Sequence, residues 1–417
     1  MSDQHPALWP SPWPAEDGGP RRLQSPVGSG GLGLSGRPGG GGRLVATSRT
    51  SMVNTMVVLR EPGEVYLLCH TGGDDAVSWV EQLHPTTLET IERSPDLPGG
   101  PTWPGGMVAH ADGSLYVVFG CHAHRLSPQL TLLASATLPR RRAYNSFVVL
   151  PDGHLVMKDF PRNDRMRSEV VVLRPGDLAL VARCELPEPS IARLSADGED
   201  VYAVGDDHLF RLRWDGVELR LDSTLDARYR TIEGQTFGWD AVLAGGAAWF
   251  LDNGEGSDRY AGTFRGLGVS TAPLHLARVD LTTGAVQLAE VSGLPGGLIA
   301  NPPAVDVDRG VAVGYDSGNG VVTAFRISPD GIGDRLWSTS LNHAAHPLLF
   351  PDTGEVVLCH HEPGVGESVV VLEVETGREL GRVATGSPVQ SVVFGAAGFE
   401  NDLYLCSFTT VTRVIVE

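Results

Sequence analysis

From Arg43 to the C-terminus, apolar residues come in short runs of four to six, broken by a tight polar turn and resumed at once. The pattern is NTMVVLREPGEVYLL at Asn54, GGMVAHADGSLYVVF at Gly105, NSFVVLPDGHLVM at Asn145 and SIARLSADGEDVYAV at Ser190. It returns at Asp240, Pro302, His346 and Gln390, so that eight starts between positions 54 and 390 recur on average every 48 residues. Runs this short with period-two alternation are strands, and Gly or Asp-Gly between them supplies the positive φ of a tight hairpin. A second strand pair follows most hairpins, as in EVVVLRPGDLALVARC and HLARVDLTTGAVQLAEV. Four antiparallel strands per period predict an all-β fold, a β-propeller of eight four-stranded blades, with seven as the alternative count. A β-sandwich would not explain the regular period. The last unit is one strand short, and GRLVATS at 42–48 has the alternation to supply it, which predicts a ring closed by an N-terminal strand.

Residues 1–42 read differently. GSGGLGLSGRPGGGG and scattered prolines offer little surface to bury, so the segment is expected to be a disordered tail, with residues 1–35 removable at no cost in stability, and 43–417 a single propeller domain.

Two segments, VVVLEVETGREL (369–380) and AFRISPDGIGDRLWSTSL (324–341), carry a strand, an acidic-x-x-Thr-Gly turn or its equivalent, a further strand and a Trp. In this the chain resembles the quinoprotein-like (PQQ-repeat-like) eight-bladed propellers. The resemblance implies either quinone-dependent dehydrogenase chemistry or a non-catalytic assembly scaffold. The adjacent cysteine pair of those dehydrogenases is missing here, which argues against PQQ as cofactor.

The net charge of −18 repels phosphate backbones, so nucleic acid is not an expected partner. No apolar run reaches the roughly 18–20 residues of a membrane span. No secretory leader is visible and five cysteines form no disulfide framework, so a cytoplasmic location with free thiols is expected.

Propeller geometry places inner-strand starts and second-strand ends around one mouth of the channel. Those positions include Asn145, Asp240 and Lys158 as candidate catalytic groups. In the seventh repeat, a turn at Asp352–Thr353 would set His346 opposite Cys359, with His361 a diagonal neighbour on the same face. Imidazole and thiolate at such spacing suit Zn or a similar divalent metal, and His70 and His122 reach the same mouth from neighbouring repeats. Cys69, Cys121, Cys359 and Cys406 fall on one arc and raise the alternative of a thiolate site. The insertion 253–272 has the length and glycine content of a lid or recognition loop. These features predict a small-molecule-binding propeller with a metal-assisted hydrolase, lyase or oxidoreductase site. The alternative is a scaffold that binds a protein partner.

Overall fold

The computed structural model describes residues 4–28, 30–35, 42–161 and 164–417. The chain is all-β, and its described helical residues are two three-residue 3₁₀ turns, Glu16–Gly18 and Ser257–Arg259. Eight antiparallel meanders follow one another along the sequence, seven with four strands paired in chain order and the last with three and the first half of Leu44–Leu59 as its fourth; Leu97–Gly100 and Ala227–Arg228 pair as extra strands in the first and fourth. The third is representative: Tyr144–Val149, Leu155–Asp159, Glu169–Leu173 and Leu180–Glu185. Its second and third strands are buried on both faces, because neighbouring sheets cover them, whereas the fourth strand alternates toward solvent. The innermost strands of consecutive meanders touch, and Gly395–Ala397 of the eighth touches Leu44–Leu59 of the first.

Leu44–Leu59 belongs to two meanders. Its first half pairs with the last strand, Phe408–Val416, from Leu44 opposite Val416 to Thr50 opposite Thr410. Its second half pairs with Val65–His70, from Asn54 opposite Cys69 to Leu59 opposite Val65. The two meanders thereby merge into one eight-stranded sheet.

Turn chemistry follows the sequence. Gly113 and Gly153 sit at φ of 85° and 90°, and the Asp before each, Asp112 and Asp152, accepts the amide N–H two residues on. In the seventh meander Leu348, Leu349 and Phe350 oppose Val357, Val356 and Glu355, the register expected from the turn. The Trp of the resemblance also has a structural role. Trp337 donates its indole N–H to the Val374 carbonyl at 2.9 Å, and its ring lies so close over Gly377 that a Cβ there would stand 2.6 Å away.

The expectation of a disordered tail does not hold for the described part of residues 1–42; 1–3, 29 and 36–41 lie outside the described residues. Residues 5–27 cross the far ends of the inner strands. Carbonyls of Trp13, Pro20, Arg21 and Gln24 accept the amides of Leu59, Ala196, Leu243 and Leu349, which come from four different meanders. The Glu16–Gly18 turn touches inner strands of the second and eighth. Gly18 is required there, with φ 81° and room for no Cβ, which would meet the Ser25 carbonyl at 2.3 Å. Further on, the amides of Leu32, Gly33, Leu34 and Ser35 all donate to the Glu355 carboxylate. The segment thus has no core of its own, but it satisfies the ends of the core it covers. Its Trp13, Glu16, Asp17 and Arg22 are almost completely buried.

Candidate functional site

At the opposite end, where the inner strands start, the channel opens into a cavity of about 460 Å³. Strand starts contribute Asn145, Trp239, Asn301 and His346, and a second-strand end contributes His70. Loops add Trp103, Tyr260, Phe264 and Phe394, and the start of the last strand adds Phe408, so that six aromatic rings stand in the wall. The volume falls within the range of roughly 300–1,000 Å³ typical of small-molecule sites.

The floor is ionic and shared with the N-terminal segment. Arg193 binds Glu16 at 2.9 Å, and His346 Nδ1 lies 2.8 Å from Asp17. Arg22 bridges both carboxylates from below, at 3.3 and 2.7 Å. Arg193 also donates to the carbonyls of Pro104 and Gly105, donates its backbone amide to Asp240 Oδ1 at 2.6 Å, and lies 4.7 Å over the Phe394 ring. Burial opposes ionisation of Asp17, but His346 and Arg22 outweigh it and hold the carboxyl down to about 2. These charges are therefore committed to one another rather than to the cavity.

The insertion forms part of the wall. Asn253 clasps its two ends, accepting the Thr236 amide and donating to the carbonyls of Ala272 and Pro273. Between them the loop reaches the eighth meander. Tyr260 donates to the Gln390 carbonyl, the Gln390 amide donates to Gly262, and the Gln390 side chain accepts the Phe264 amide at 2.7 Å.

The candidate catalytic groups separate. Asn145 lines the cavity, whereas Asp240 and Lys158 lie outside its lining. Asp240 is buried against Arg193. Lys158 is fully buried, donates to the Ser190 carbonyl at 2.6 Å, and is pushed down to about 7 by burial against the opposing pull of Asp159 and Asp240.

The expected metal ligands are not brought together: no group of three His, Cys, Asp or Glu among the described residues could hold an ion. Correct register does not fix where the side chains turn. His346 is bound to Asp17, His361 Nε2 faces the Pro388 carbonyl, and His122 Nδ1 faces that of Gly99. His70 Nδ1 meets the Thr71 carbonyl. Cys359 is buried beside His343, which accepts its backbone amide. The thiolate arc fails for a related reason. Burial pushes Cys69 up to about 12 and raises Cys359 and Cys406 well above the ordinary thiol range, so these are protonated, packed thiols.

Nor does the cavity suit a polyanionic quinone. Arg193 is the single Arg or Lys in its lining, and Glu16 already neutralises it. What sequence reasoning missed is the aromatic wall, which comes from connections with no repeating pattern, and the floor, whose partners lie in the segment read as a tail.

No protein-family model matches the sequence, and no curated protein matches it. The structure is similar to a quinohemoprotein alcohol dehydrogenase from Pseudomonas putida, with TM-score 0.65 and 10% identity over 98% of this chain and 80% of that one. The corresponding enzyme of Comamonas testosteroni gives 0.63 and 10% over 99% and 80%. BamB from Moraxella catarrhalis gives 0.54 and 13% over 88% of this chain and 100% of that one. At such identities the likeness speaks for the fold and leaves the chemistry open. The fold of this chain is a β-propeller.

Proposed function

We propose that this chain is a ligand-binding propeller of eight blades, closed into a ring by Leu44–Leu59, and that its site is the aromatic cavity at the open end of the channel. The ligand is a small uncharged molecule built around a ring system. The observation that supports this reading is the combination of aromatic walls with a floor whose charges are already paired. Apolar rings gain by leaving water for such a wall and by stacking on it. An anion would lose its hydration and find Arg193 already held by Glu16, while the carboxylate in the lining, Asp258, stays exposed to solvent. The fixed wall from Tyr260 and Phe264 adds area without any ordering at the moment of binding.

Calorimetric titration with quinoline tests the reading, in wild type and in Ala300→Phe. Ala300 lines the cavity and is small, so a phenyl group there fills the space from its edge. Saturable binding to wild type, lost in Ala300→Phe at an unchanged melting temperature, is the expected result. No binding to wild type, or equal binding to both, would overturn the proposal.

A further inference from the structure

Four polar side chains of the inner-strand starts face the open end of the channel, and three are satisfied by the protein. Arg193 spends its guanidinium on Glu16 and on the Pro104 and Gly105 carbonyls. Asn301 donates to the carbonyls of Ala344 and Val392. His346 holds Asp17. Asn145 differs: it is completely buried, it lines the cavity, and both its Oδ1 and its Nδ2 are without a hydrogen-bond partner among the described residues. Its cross-strand neighbour Lys158 turns its amine away, to the Ser190 carbonyl. A buried amide with both ends unmatched is costly, and native proteins keep few of them without a purpose.

A carboxamide presents one donor and one acceptor side by side in a plane. Its full complement is another planar edge with acceptor and donor in the same arrangement, which is the cis-amide edge –NH–C(=O)– of a lactam, imide or nucleobase-like heterocycle. Exchanging O and N of the side chain leaves the same pair on offer. A carboxylate would satisfy the donor alone, and a hydroxyl cannot span both atoms in plane. Trp103 and Trp239 supply flat surfaces in the same cavity on which such a heterocycle can stack.

We infer that Asn145 is the specificity-determining residue of this site, and that it selects uncharged planar heterocycles with a cis-amide edge. The inference rests on the cavity reading above and narrows it to a chemical class.

The test compares 2-quinolone, which has the edge, with N-methyl-2-quinolone, which has lost its N–H, by calorimetry on the full chain. Wild type is expected to bind 2-quinolone at least tenfold more tightly. Asn145→Leu should bind the two alike, which separates the lost hydrogen bond from any crowding by the methyl group. Asn145→Ser, which is smaller, is the second variant should leucine disturb the packing. Equal affinities in wild type, with quinoline still bound and Ala300→Phe still blocking it, would overturn the inference and leave the cavity reading standing. A preference that persists undiminished in both variants would also overturn it. Failure of quinolone and quinoline alike would overturn both.

Discussion

The two ends of the central channel are built on the same inner strands and end up as opposites. Below the cavity floor the chain fills the bore with its own residues: Glu16, Asp17 and Arg22 of the N-terminal segment pair with one another and with Arg193 and His346 of the strand starts. Where the inner strands start, the cavity stays open and is lined by aromatic rings, with Asp258 exposed in its lining and the amide of Asn145 unmatched. A buried ion pair repays its desolvation only when the partners are closely placed, so the closed end depends on each member being present. The open end makes the reverse demand: its polar group is unsatisfied until something enters. One end is a structural plug and the other a receptor.

Breaking the plug gives the largest effect. Deleting residues 1–35 removes Trp13, Leu32 and Leu34 from the core and leaves Arg193 and His346 without the carboxylates of Glu16 and Asp17. Breaking one buried pair costs about 3–5 kcal/mol, and this deletion breaks two, so at about 1 °C per kcal/mol for a chain of this length the melting temperature should fall by about 6–10 °C. A truncated chain that melts with wild type would mean that the segment is the loose tail its composition suggests.

A smaller break at the same end is Asp17→Ala, with an expected loss of about 3–5 kcal/mol. The folded carboxyl is depressed to about 2, so its stabilisation is present above the ordinary carboxylate range near 4 and is lost as pH falls through 2. Thermal melts from pH 5 to pH 2 should therefore converge for wild type and variant at the acid end. A gap that is constant with pH would contradict the ionic reading of the plug.

The smallest effect sharpens the comparison near the open end. Glu367 is buried behind the wall, accepts the Ser391 amide, and is pushed up to about 8 by burial, against the pull of that hydrogen bond. Here the folded value is the raised one, so its contribution is intact below the ordinary value near 4.5 and is lost as pH rises through 8. Glu367→Gln should match wild type at pH 4 and melt higher at pH 9. The opposite order at pH 9 would show that this carboxylate has a cation that the geometry does not reveal.

Much of this architecture was legible in the sequence, and the reasons are local. Turn glycines such as Gly113 and Gly153 punctuate strand pairs, and the register of the seventh meander followed from its turn. Once a propeller is assumed, strand starts and ends converge on one mouth; Asn145, His346 and His70 line one cavity, whereas Asp240 and Lys158, assigned to the mouth by the same rule, do not. The plug was not legible, because its energy lies in pairs separated by up to 329 residues, such as Asp17 with His346, and no local composition reports that. The aromatic wall was hidden for the same reason: Trp103, Phe394 and Phe408 approach one another only through the ring. The metal reading failed at a finer level, since the paired register stops at Leu348 opposite Val357, short of His346, whose imidazole Asp17 holds.

The most direct test of the two-ended account is a crystal structure of the full chain soaked with 2-quinolone. The account predicts the bicycle within the aromatic cavity, flat against its indole wall, with its amide edge on Asn145 and the plug undisturbed. Quinolone found solely in the separate space of about 400 Å³ between residues 4–27 and the third and fourth meanders would contradict it.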